Sequence, residues 1–141
     1  MMLREILRVK GRAVHTIGPR ATLADVVQKL VECNCGSLVV CDGDAMVGII
    51  TERDILRTVA SRLDPLSNIA VEERMTRDAI TGLPEDEVEE VMGLMTRQRI
   101  RHLPVLEDGK LAGIISIGDV VKAHHDRLCM ENEYLMHYIH S

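Results

Sequence analysis

The 141-residue sequence has no phenylalanine, no tryptophan and only two tyrosines. A core must therefore be built from Val, Ile, Leu and the eight methionines, which read as core fillers at helical spacing. No apolar run approaches the roughly 18 residues of a membrane span. The opening stretch MMLREILRVKGRAV carries charges throughout and lacks the apolar segment of a signal peptide, so the expected location is the cytoplasm. An excess of positive charge is also missing. The net charge of −5 argues against broad nucleic-acid binding, which needs a basic face. Cysteine is sparse. Cys33, Cys35, Cys41 and Cys129 fit neither a zinc-site spacing nor a disulfide framework, and are most simply neutral or buried thiols.

What is present is globular in composition, with 46% apolar residues. It is also written twice. GIITERDI at 48–55 returns as GIISIGDV at 113–120, an offset of 65 residues. The same offset relates Thr16 to Thr81, Leu38 to Leu103 and Val40 to Val105. Each half is about 60–65 residues, a size that buries too little surface to be comfortable alone, so the halves are expected to pack on each other.

Periodicity supplies the elements. Leu23, Val26, Val27, Leu30 and Val31 form one helical face over 22–33, with Thr22 as cap and Asp25 in the first turn. Val88, Val91, Met92 and Met95 do the same over 85–98, with Glu85, Asp86 and Glu87 loading the start. Short strands are expected at 14–17 and 79–81, at 37–41 and 102–106, and at 46–50 and 111–115. Hairpin turns fall at Asp42-Gly43-Asp44 and Glu107-Asp108-Gly109. A further helix begins at Thr51 and is broken by Pro65. Its counterpart begins at Ser116 and runs to about Ile139, with Val121, Leu128, Leu135 and Ile139 near one stripe.

The repeated motif has two readings. In the structural one, Thr51 and Ser116 cap helices, and Asp54 and Asp119 complete capping boxes three residues on. Gly48 and Gly113 then allow close packing. In the functional one, the helix start offers N–H groups to phosphate, the Asp accepts a ribose diol, and the Gly-Ile-Ile edge walls a base. Two copies at one offset favour twin sites.

These residues resemble a pair of cystathionine β-synthase (CBS) domains. The resemblance runs from about residue 3 to 125, and is carried most specifically by GSLVV…MVGIITERDILR and MTRQRIRHLPVLEDGKLAGIISIGDVVK. It implies an α+β fold of two βαββα repeats packed with pseudo-twofold symmetry, leaving two clefts, plus a C-terminal helical extension. The expected division is a first repeat over 3–62, a linker over 63–78, a second repeat over 79–125 and a helical tail over 126–141. Many such pairs bind AMP, ADP, ATP, NAD or S-adenosylmethionine. The family's Gly-x-hydroxyl-x-x-Asp pattern is met here with one additional residue. By resemblance, Thr51 and Ser116 touch ribose or phosphate, Asp54 and Asp119 hold the ribose, and Thr16 and Thr81 lie by the base. The expected nucleotide set also includes Ile50, Arg53, Arg101, His102, Pro104 and Gly118.

Arg99, Arg101 and His102 have two readings, a solvated helix end or a phosphate-binding cluster. Their first-half counterparts include Cys35, Gly36 and Ser37, which carry no charge. The clefts are therefore expected to be unequal, the second holding phosphate more tightly. His124 and His125 point apart on a helix, His137 and His140 sit at a terminus, and no metal site is expected. No nucleophile stands beside an oriented base, so catalysis is not expected. The favoured reading is a regulatory sensor of adenosine nucleotides that needs no cofactor, forms a homodimer and signals to a separate effector protein. The competing readings are an interaction, redox-sensing or metal-sensing protein without nucleotide, and a minor nucleotide-metabolising enzyme.

Overall fold

The computed structural model describes residues 1–140, apart from the side chain of His140. In chain order the elements are α1 (Leu3–Lys10), β1 (Thr16–Ile17), α2 (Leu23–Cys33), β2 (Ser37–Asp42), β3 (Ala45–Thr51), α3 (Glu52–Ser61), α4 (Val88–Gln98), β4 (His102–Glu107), β5 (Lys110–Ser116) and α5 (Ile117–His140). Two single 3₁₀ turns, Leu66–Asn68 and Val71–Glu73, lie between α3 and α4. This is a mixed α/β chain in which helix, hairpin, helix is written twice, preceded by a strand, β1, in the first copy only. Among the described residues no helix is long and apolar enough to cross a membrane.

The chain forms two compact units. One comprises residues 13–80 and 108–111, the other residues 1–12, 81–107 and 112–141. In the first, β1 pairs in parallel with β2, and β2 pairs antiparallel with β3. Of the apolar face expected for α2, Leu23, Val26 and Leu30 are buried with Leu38, Val40, Ile50, Ile55, Ile69, Val71 and Met75, whereas Val27 is half-buried and Val31 is exposed. Each fully buried Leu or Ile contributes about 1.5–3 kcal/mol of burial free energy. Thr22 caps α2 through the Asp25 N–H at 3.2 Å, and Asp25 returns a bond to the Thr22 N–H at 2.9 Å. In the second unit, Leu3, Leu7, Val88, Val91, Met95, Leu103, Val105, Ile115 and Val120 are buried.

Three local expectations shift. The strand anticipated at 79–81 is reduced to one parallel bridge, Gly82 to Val105. In the first half the Val39 N–H donates to His15 O at 3.1 Å, and Pro104 stands in the place of Val39 with no N–H to give, so the pairing does not extend back from Gly82. Helix α4 begins at Val88 and not at 85, because the Asp86 carboxylate accepts the Leu83 N–H at 2.8 Å and holds that segment as a turn. Helix α3 ends at Ser61, ahead of Pro65. Helix α1 carries no counterpart among the sequence expectations, although Leu3, Ile6 and Leu7 stand at i, i+3 and i+4 and are all buried.

Candidate functional site

Both copies of the repeated motif fall where a strand runs directly into a helix. In the first, β3 ends at Thr51 and α3 begins at Glu52; in the second, β5 ends at Ser116 and α5 begins at Ile117. Extended backbone at Thr51 (φ −123°, ψ 165°) turns its hydroxyl onto the first helical turn. The capping boxes are present in both. Asp54 N–H donates to Thr51 Oγ1 at 3.4 Å, and Thr51 N–H donates to Asp54 Oδ2 at 2.9 Å. Asp119 N–H donates to Ser116 Oγ at 3.1 Å, and Ser116 N–H donates to Asp119 Oδ2 at 2.9 Å. The bonds to each carboxylate all fall on Oδ2, so Oδ1 of Asp54 and Asp119 keeps its lone pairs.

A second pair of bonds was not legible in the motif. Glu52 N–H donates to Gly36 O at 3.0 Å, and Ile117 N–H donates to Arg101 O at 2.8 Å. These are one bond, repeated at the 65-residue offset. It pins the residue before β2 or β4 against the start of the following helix. Gly36 is thereby fixed at the first site and Arg101 at the second. The N–H groups of Arg53 and Gly118 are left as open donors of the first turn. A Cβ on Gly118 would have only Ser116 Oγ nearby, at 3.6 Å, so the backbone there is open to approach.

The other candidates are placed as follows. Thr16 lies on β1 opposite Val39, which lies opposite Ile49 on β3. With strands about 4.8 Å apart, Thr16 shares a row of the sheet with the Gly-Ile-Ile edge at about 10 Å from it. Ile50 is fully buried and serves the core. Arg53 is exposed on α3. Thr81 is exposed beside the Gly82 bridge, whose N–H donates to Pro104 O at 2.9 Å. Pro104 is buried and His102 half-buried on β4, while Arg99 and Arg101 are exposed. Arg99 is the left-handed end of α4, φ 55°.

The two glycines serve packing. A Cβ on Gly48 would stand 2.7 Å from Thr76 O, and one on Gly113 would stand 2.6 Å from Leu7 Cδ2. Each admits a neighbouring segment to the strand edge.

Two lysines that the motif reading missed also meet these sites. Lys29 Nζ donates to Thr16 O in the first unit. In the second unit Lys10 Nζ donates to Asp119 Oδ2 at 2.6 Å and to Ile114 O at 2.9 Å. Burial works against ionisation of Asp119, but the Lys10 ammonium and the Ser116 N–H outweigh it and hold the carboxyl below its ordinary value. Neither lysine belongs to a repeated motif. Only their position at the end of α1 and in the last turns of α2 brings them in.

Burial pushes the Cys35 and Cys41 thiols up, so both favour the protonated, unreactive form. Cys129 Sγ lies 3.5 Å from His125 Nε2 on exposed α5. His124 Nδ1 lies 3.9 Å from Glu89. Among the described residues no three His, Cys, Asp or Glu gather as a metal ion would need, and the side chain of His140 lies outside them. A shallow apolar groove of about 460 Å³ runs between α2 and α3, lined by Val27, Leu30, Val31, Ile55 and Leu56 among others.

The CBS domain family model matches residues 3–61 and 69–126. The crystal structure of the CBS-domain containing protein ATU1752 from Agrobacterium tumefaciens is 38% identical, with a TM-score of 0.85 over 88% of this chain and 99% of that one. The CBS domain protein PAE2072 from Pyrobaculum aerophilum, solved as a complex with AMP, is 32% identical, with a TM-score of 0.75 over 84% and 89%. The CBS domain pair of protein MJ0100, solved with 5′-methylthioadenosine and S-adenosyl-L-methionine, is 25% identical, with a TM-score of 0.78 over 90% and 98%.

Proposed function

Because the chain belongs to the CBS-domain family, we propose that it is a regulatory module binding an adenosine nucleotide of the AMP, ATP or NAD class at each of its two strand-to-helix junctions. The observation that carries this reading is the duplicated junction itself. In each copy a hydroxyl residue and an Asp close a capping box through Oδ2 alone. Each junction thus keeps one carboxylate oxygen for a ribose hydroxyl and one first-turn N–H for an anion. The AMP complex of PAE2072 supports the ligand class.

In this reading Asp54 and Asp119 hold ribose, Thr51 and Ser116 orient it, and Thr16 and Thr81 lie toward the base. Pro104 and the backbone of Ile50, whose side chain is taken up by the core, border the base, and Arg53, Arg101, His102 and Gly118 face phosphate. Arg101, tied to the helix start through its own carbonyl, makes the second site the tighter one for phosphate. The chain is not an enzyme, needs no cofactor and acts in the cytoplasm through a separate effector protein. Its division is a repeat at 3–62, a linker at 63–78, a repeat at 79–125 and a tail at 126–141. It works as a homodimer. The exposed Val31, Leu56 and Val59, and the α5 stripe of Leu128, Leu135 and Ile139, are the apolar surface that a second copy covers. Light scattering at micromolar concentration should give twice the chain mass.

The direct test is mass spectrometry of small molecules released from the purified protein, followed by calorimetric titration. Release of an adenosine nucleotide and its rebinding is the expected result. Protein that carries none, and binds neither AMP, ATP nor NAD, sinks the reading.

A further inference from the structure

The two junctions differ most at the edge of the motif strand. In the first unit, Ile49 and Thr76 exchange both backbone bonds, Ile49 N–H to Thr76 O at 3.0 Å and Thr76 N–H to Ile49 O at 2.9 Å. The segment equivalent to Met75-Thr76 at the 65-residue offset is Lys10-Gly11. There the carbonyl equivalent to that of Ile49, Ile114 O, accepts the Lys10 ammonium at 2.9 Å, and among the described residues no backbone bridge joins Lys10-Gly11 to β5. The same ammonium reaches Asp119. Among the described residues no ion pair reaches Asp54, and the residue standing in the place of Lys10 is the buried Met75.

Lys10 therefore sits on the carboxylate whose free Oδ1 the nucleotide reading gives to ribose, through its other oxygen Oδ2, and on a carbonyl of the neighbouring β5 edge. We propose that Lys10 is the charge-selecting residue of the second site, making it prefer phosphorylated adenosine to adenosine itself. This rests on the nucleotide reading above and extends it to one residue.

The physical argument has two parts of the same sign. A neutral nucleoside must draw Asp119 away from an ammonium at 2.6 Å or share a carboxylate already half-neutralised, and it offers the ammonium no new partner. A nucleotide brings its own anion. Lys10 ends α1 and its side chain is about one-third exposed, so the long stem can swing from carboxylate to phosphate. Displacement is then compensated for AMP and uncompensated for adenosine. The alternative is that Lys10 merely staples the β5 edge that a backbone bridge closes in β3. A staple affects both ligands alike.

The test isolates the second site in an Asp54→Ala background and titrates AMP and adenosine by calorimetry. In that background Lys10→Met should lower the AMP-to-adenosine affinity ratio by about fivefold or more, and Lys10→Arg should keep it. Thermal unfolding confirms that each variant is folded. Should Lys10→Met misfold, Met75→Lys in an Asp119→Ala background supplies the converse, a raised ratio at the first site. Equal changes for the two ligands overturn the proposal and leave the nucleotide reading standing. Failure of the otherwise unsubstituted protein to bind either ligand overturns both.

Discussion

The first and second halves repeat the capping box and the helix-start bond of the strand-to-helix junction, yet close the strand beside it with different chemistry. In the first half a backbone bridge between Ile49 and Thr76 covers the edge of β3 and leaves Asp54 to its cap. In the second half a lysine side chain covers the carbonyl of Ile114 and neutralises Asp119 as well. Backbone pairing is insensitive to side-chain identity and to ionic conditions. A lysine is a mobile charge that a ligand can redirect. Duplicated architecture thus holds two sites in one geometry while separating their electrostatics.

Removing what the halves share should have the largest effect. Asp54→Ala and Asp119→Ala together should weaken adenosine-nucleotide binding by about ten- to a hundredfold per site, the cost of roughly 1.5–3 kcal/mol for a charge-assisted contact. Calorimetry checks this, and a double variant that binds like the parent rejects the ribose assignment. Next comes the packing contrast. Gly48→Ala drives a Cβ into the Thr76 carbonyl, part of a paired backbone, whereas Gly113→Ala meets the tip of the Leu7 side chain. Urea unfolding should register a loss of about 2–3 kcal/mol for Gly48→Ala and clearly less for Gly113→Ala. Equal losses would mean the β3 edge yields as easily as a side chain.

Smaller effects separate the halves further. Arg101→Ala should weaken AMP at the second site by about tenfold and leave adenosine nearly unchanged. If both ligands lose affinity equally, Arg101 does not meet phosphate. The acid limb of stability supplies a measurement that needs no ligand. Asp119 has a depressed carboxyl in the folded chain, so its contribution is fully present above the unfolded value of about 4. It is lost as pH falls below that toward the folded value. Urea midpoints at pH 5 and pH 3 should therefore draw closer together in Lys10→Met than in the parent. An unchanged difference would show that the Lys10 pair does not set the Asp119 titration. Smallest is Gly118→Ala. It should raise helix stability by up to about 1 kcal/mol, since nothing crowds the new Cβ, while weakening nucleotide binding at the second site. Tighter binding would remove Gly118 from the phosphate face.

Residues 48–55 and 113–120 carried their own structure in their letters. Alternation and a hydroxyl three residues before an Asp are local signals, because capping and strand pairing are satisfied within a few residues. The same locality explains α2, where spacing, cap and burial agree. It also explains the misjudged start of α4. Glu85, Asp86 and Glu87 suit a helix N-terminus, but the Asp86 carboxylate finds the Leu83 N–H first and delays the helix to Val88. The strand foreseen at 79–81 shrank to a bridge because Pro104, in the place of Val39, has no N–H to pair with it.

The sequence by itself determined the duplication, the helix-to-strand order and the twin hydroxyl–Asp junctions, all of which rest on interactions between near neighbours in the chain. Only the tertiary structure decided what each junction faces. It brought Lys10 to Asp119 across more than a hundred residues, and tied Arg101 to the start of α5. It also set Thr76 against β3 so closely that Gly48 must remain a glycine. Such contacts follow from how separate segments stack, and no local pattern specifies which lysine a folded chain will carry to a carboxylate.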